Sequence, residues 1–113
     1  MCGAIGAATG AGCGIVYLLG GGTKEMSAVI CNVLGDLAGM FCDGAKGSCG
    51  LKVSSAVNAA VQAAVLAMNG LSIGYTEGIV GHTETDTLEN YAKLSSEGMC
   101  LIDGVIMDII LKK

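Results

Sequence analysis

Six cysteines and a single histidine carry most of the chemical potential of this 113-residue chain. Thiolates bind soft metals and attack electrophiles, and imidazole binds metals or moves protons near neutral pH. Cys42 and Cys49 bracket a stretch holding Gly44, Gly47 and Gly50, where backbone can turn sharply and approach a ligand closely. Along an unbroken helix their Cα atoms would stand roughly 10 Å apart, and glycine turns would shorten that. The spacing is neither the C-x-x-C of structural zinc sites nor the tight ferredoxin run. Alone it does not separate a metal site from two buried thiols, because free cysteine is among the most buried residue types. Asp43 either orients Cys42 as a partner behind the ligand or forms the turn before Gly44. Lys52, in the first turn of the next helix, offers a cation for a substrate carboxylate, or is a solvated lysine. Cys13, Cys31 and Cys100 fall on apolar helical faces and read as core.

The elements that must position these groups read as helices. Residues 1 to 23 carry no charge and eight glycines, so a buried segment is expected rather than a signal peptide or membrane span. A first helix is expected from about Gly3 to Leu19, with Gly6, Gly10 and Gly14 forming a small-residue stripe suited to close helix contact, and it ends at Gly20-Gly21-Gly22. Thr23 can cap a second helix, whose Met26, Val29, Ile30, Val33, Leu34, Leu37 and Phe41 make one apolar face. A third is expected from Leu51 to Met68 with Val53, Val57, Ala60, Val61, Ala64 and Met68 inward, ended by Asn69-Gly70. Residues 71 to 82 have three glycines and no helical period, and read as a connection. Asp86 with Glu89 fits a reciprocal cap for a helix to about Gly98. A last helix runs from about Cys100 to Lys112, with Leu101, Ile102, Val105, Ile106, Ile109 and Ile110 on one stripe. The expected fold is an all-α compact bundle of about five helices with a Gly-rich, Cys-bearing loop, forming one domain over 1–113.

Composition narrows the function classes. The chain is 52% apolar with one Phe, three Tyr and no Trp, so the core must be built from small and aliphatic side chains. Charged residues are 14% against about 25% usually, too few to cover a solitary monomer, and a partner surface is expected. A net charge of −4 without arginine or a basic cluster argues against nucleic acid. Six cysteines without a secretion signal read as reduced thiols of a cytoplasmic protein.

The string Asp36-Leu-Ala-Gly-Met-Phe-Cys42-Asp43-Gly44-Ala45-Lys-Gly-Ser-Cys49-Gly-Leu-Lys52-Val53 resembles the C-terminal signature of the iron-sulfur-dependent L-serine dehydratase (alpha chain) and L-cysteine desulfidase family. Cys2 before a Gly/Ala helix and Glu77-Gly-Ile-Val-Gly-His82 agree in order and separation, so the resemblance spans nearly the whole chain. It implies that Cys2, Cys42 and Cys49 are ligands of a [4Fe-4S] cluster with one iron left open to the amino acid substrate. It implies β-elimination from L-serine or L-cysteine to pyruvate and ammonia with water or sulfide, with His82 matching a family histidine that donates or transfers protons. The family's long N-terminal portion, with its Cys-Thr-Glu-Pro-type and Ser/Gly/Asn-rich segments, is not in this sequence. The chain therefore reads as the C-terminal segment of a larger enzyme, inactive alone, whose partner is the N-terminal portion or a second copy. Two other readings stay open: a helical zinc-binding module using the same thiols, and a structural dimerisation module without catalysis. Aerobic preparation would also strip an exposed cluster.

Overall fold

Several helix ends fall where glycine or a short polar side chain relieves unpaired backbone groups. A computed structural model describes all of residues 1–113. Its helices are α1 (Gly3–Leu18), α2 (Thr23–Leu37), α3 (Gly47–Met68), α4 (Glu84–Lys93) and α5 (Ile102–Leu111), with a π-helical turn at Leu94–Gly98 and no strand. At the end of α1 the Gly20 N–H bonds the Tyr17 carbonyl and the Gly21 N–H bonds that of Val16, at 3.1 and 2.9 Å. This paired closure needs a left-handed residue, and Gly20 supplies it at φ 88°. The same device at Gly70 closes α3, as the Asn69-Gly70 pair predicts.

Four boundaries differ from the sequence reading. Gly22, not Thr23, precedes α2, its N–H held by the Glu25 carboxylate at 2.8 Å. That bond holds the Glu25 carboxyl below its usual range. Helix α2 stops at Leu37 instead of reaching Phe41, because Gly39 turns the chain at φ 99°. Helix α3 begins at Gly47, which draws Gly47, Cys49 and Gly50 out of the expected loop and into the first helical turn. Finally α4 is capped by Thr83, whose Oγ1 accepts the Asp86 N–H at 3.0 Å while Asp86 accepts the Thr83 N–H at 3.1 Å. Asp86 thus occupies the third helical position of the reciprocal cap, not the capping position.

Helices α1, α2 and α3 pack against one another, and α4 packs on α2. Residue pairing fixes their directions: Gly12 meets Val29 and Ala60, and Gly21 meets Met68, so α1 and α3 run parallel and α2 antiparallel to both. The core is Val16, Val29 and Val33 against Ala56, Ala60, Ala63, Ala64 and Ala67. Helix α3 therefore turns its alanines inward: of the expected stripe Ala60 and Ala64 are buried as predicted, whereas Val53, Val57, Val61 and Met68 are exposed, as is Val65. Alanine on α3 lets the α1 and α2 backbones come close, a constraint that apolarity alone does not encode. This helix is long and apolar enough to cross a membrane, and here its alanine face is buried.

The close approach of α1 is made at Gly12. A Cβ there would stand 2.7 Å from Val29 Cγ1 and 3.3 Å from the Ala60 carbonyl oxygen. Gly6, Gly10 and Gly14 face outward with nothing within 4 Å, so the expected stripe exists but nothing in the chain covers it. Helix α5 packs on no other helix, and its apolar residues Leu101, Val105, Ile109 and Ile110 are exposed. Cys100, expected in the core, is exposed too, its thiol turned to the Glu97 carbonyl.

These contacts set opposite expectations for two glycines of α1. Gly12→Val should destabilise the chain by about 1–3 kcal/mol through overpacking, whereas Gly6→Ala should stabilise it by roughly 0.5–1 kcal/mol through helix propensity. Denaturant unfolding of the two variants checks both signs.

Candidate metal centre

Three segments carrying Cys2, Cys42 and Cys49 meet at one end of the bundle: the starts of α1 and α3, and the loop that follows α2. Cys2 is buried, and its N–H donates to the Met40 carbonyl at 2.9 Å. The Met1 nitrogen reaches Ser95 Oγ at 3.4 Å, a further link beside Cys2. Cys2, Ile5 and Leu34 form a small cluster with Met40 and Tyr91 packed against it. Cys42 is exposed on the loop, and Cys49, half-buried, lies in the first turn of α3.

Lys52 ties the loop to α3. Its Nζ donates to Asp43 Oδ1 at 2.6 Å and to the Phe41 carbonyl at 2.8 Å, and stands 5.0 Å from the centre of the Phe41 ring. The residues on both sides of Cys42 are thereby fastened one helical turn beyond Cys49. Asp43 is thus a salt-bridge partner of the loop brace, and Lys52 is engaged instead of solvated. The Lys52 hydrogen bond holds the Asp43 carboxyl below its usual range, and the same bond pushes Lys52 up, with the Cys2 and Cys42 thiols adding to it. Both cysteines therefore lie within electrostatic reach of one ammonium.

The other thiols are engaged elsewhere. Cys13 faces the Met26 carbonyl, with burial pushing its thiol up, and Cys31 is buried against Thr87 Oγ1 at 3.7 Å. Neither has the electropositive, accessible setting of a reactive cysteine. No three His, Cys, Asp or Glu side chains stand close enough to share a single metal ion.

His82 is placed elsewhere. It stacks on Tyr75 with ring centres 4.0 Å apart, in a cleft lined by Lys24 and Glu25 at the start of α2 and Met68 at the end of α3. That cleft runs along α2 from Lys24 to Cys31, apart from the Leu34, Met40 and Tyr91 side chains that pack around Cys2. Sequence reasoning missed Tyr91, a half-buried phenol beside Cys2 whose pKa is raised by burial and then by the Cys2 thiol. It also missed Phe41 as the ring under Lys52, although the only Phe of the chain immediately precedes Cys42.

The brace has a pH signature. Asp43 titrates lower in the folded chain than in the unfolded one, so its contribution is complete above about pH 4 and fades as pH falls through the depressed value. Lys52 titrates higher when folded, so its contribution is complete below about pH 10 and fades as pH rises through the raised value. Lys52→Met should lower amide protection of residues 41–46 several-fold at pH 7, leaving the α1–α3 core unchanged. In the wild type, the same segment alone should lose protection as pH falls through the depressed Asp43 range. Hydrogen exchange by mass spectrometry, normalised for intrinsic rates, checks both.

The family model "Serine dehydratase alpha chain" matches residues 1–108. A UPF0597 protein of Oleidesulfovibrio alaskensis is 50% identical over 113 residues, covering 100% of this chain and 26% of the relative. One of Clostridium perfringens is 46% identical over 114 residues, covering 100% and 27%. One of Shewanella pealeana is 43% identical over 113 residues, covering 100% and 26%. The chain thus spans about a quarter of the length of the curated relatives it matches, and no solved structure matches it. With its Cys-Asp-Gly-Ala loop fastened between the starts of α1 and α3, the chain belongs to the serine dehydratase alpha chain family.

Proposed function

We propose that this chain is the cluster-binding segment of a [4Fe-4S]-dependent L-serine dehydratase or L-cysteine desulfidase, acting in the cytoplasm with the remainder of the family's polypeptide. The observation that carries it is the fastening of the Cys2, Cys42 and Cys49 segments to one another through the Met40 carbonyl and Lys52. The donor set fits such a group: three free thiols at one end, the remaining cysteines engaged or remote. A cubane spreads its sulfur ligands wider than a single ion does, so the cysteines need not converge on one point to serve it.

When bound, the cluster supplies a Lewis-acidic iron that accepts the developing charge on the departing hydroxide or thiolate. The chain's own residues do the rest of what is assigned here. Cys2 holds the start of α1 against the loop, Cys42 stays exposed toward an incoming ligand, and Cys49 is presented by the first turn of α3. Asp43 and Phe41 occupy two of the three N–H donors of Lys52, which leaves one for a substrate carboxylate. The ammonium thus both braces the loop and offers a point of recognition. His82 stacks on Tyr75 in a cleft of its own and is not among the groups fastened to the Cys42 loop. The base that removes the α-proton is assigned to the remainder of the enzyme, and this segment alone is expected to be inactive.

Anaerobic reconstitution with iron and sulfide tests the assignment. The wild-type chain should acquire broad visible absorbance and retain iron and sulfide after desalting. Cys2→Ser, Cys42→Ser and Cys49→Ser should each lose most of both, while Cys13→Ser and Cys100→Ser should match the wild type. Colourless stoichiometric zinc uptake in place of iron would favour the zinc module, and indifference of bound iron to the three substitutions would overturn the assignment.

A further inference from the structure

A trough runs between the parallel helices α1 and α3 on the surface away from α2. Ala4, Ala8 and Ala11 form one wall, Val53, Val57 and Val61 the other, and every residue lining it is apolar. Val53, Val57 and Val61 stand about half exposed, at 47%, 55% and 46%. It encloses about 220 Å³, below the roughly 300–1,000 Å³ of small-molecule pockets, and from Ala4 to Ile15 it extends roughly 16 Å, three helical turns.

We propose that this trough seats an apolar helix from the part of the family's polypeptide lying outside this segment. The wall offers no polar atom to pair with backbone, so the occupant must satisfy its own N–H and C=O groups, which a helix does and an extended strand or loop does not. The alanine side lets the incoming axis approach closely, and the valine side supplies the ridge against which its side chains pack. The occupant belongs to the same polypeptide family because relatives match this chain along its full length yet are about four times longer. A second copy fits poorly, since two concave troughs facing each other across a two-fold axis leave the space unfilled. The face of the occupant should carry Leu, Ile or Val at i, i+4 and i+7 and no charge. The proposal rests on family membership and on shape, so it stands or falls independently of the cluster assignment.

Site-specific photo-crosslinking in the full-length Oleidesulfovibrio alaskensis relative tests it. A benzophenone amino acid is placed at the position aligned with Val57, and at that aligned with Asn58, about 100° around α3. The Val57 position should crosslink within one molecule to a helix outside the matched segment, at least tenfold more efficiently than the Asn58 position. A crosslink joining two molecules, a crosslink to a non-helical segment, or equal yields at the two positions would overturn the proposal. Because both side chains are exposed in this fold, neither probe displaces a core residue of the bundle.

Discussion

The hydrogen bond from the Cys2 N–H to the Met40 carbonyl is the constraint on which the candidate centre depends. It joins the first residues of the chain to the loop after α2, where the Gly39 N–H also meets Met1 Sδ and Met40 packs against the Cys2 cluster. With Cys2 buried behind it, the start of α1 becomes a fixed wall of the site. Lys52 supplies the complementary restraint from α3, holding the backbone on both sides of Cys42 through Asp43 and the Phe41 carbonyl. Two short polar links thus orient three thiol-bearing segments, and their directions follow from the antiparallel run of α2 between α1 and α3.

That arrangement is possible because the bundle is built from small residues. Gly12 and the inward alanines of α3 let three helix axes approach closely, with valines filling the remaining space. The same economy has a consequence at the surface. Once alanine has taken the inner face of α3, its valines are left outside, and α5 carries an apolar stripe that meets no other helix. A chain with 14% charged residues and faces of this kind leaves continuous apolar surface uncovered, and it spans about a quarter of the length of the relatives it matches.

Much of this was legible in the sequence. The five helices, the glycine terminators at Gly20 and Gly70 and the absence of strands follow from 3.6-residue periodicity and from the left-handed conformations that glycine permits. The Cys42–Cys49 string was legible as a resemblance. Periodicity could not choose which apolar face of α3 turns inward, because alanine and valine both count as apolar and the choice depends on how near the neighbouring backbones come. Nor could it place Cys49 in a helix, since Gly47 and Gly50 read as breakers until Lys46 and Gly44 are seen to set up the helix start. The separate cleft of His82 and the proximity of Tyr91 to Cys2 are tertiary facts, produced by the long connection after α3 and the packing of α4 on α2.

The central claim is that Cys2, Cys42 and Cys49 act as one ligand set. Diffraction at the iron absorption edge from crystals of the anaerobically loaded chain tests it most directly, because anomalous scattering locates the metal and its sulfur neighbours without reference to activity. The account predicts iron bonded by the Sγ atoms of these three cysteines and by no others. Iron held by a different set, or a loaded centre from which the Cys2 sulfur stands apart, would contradict it.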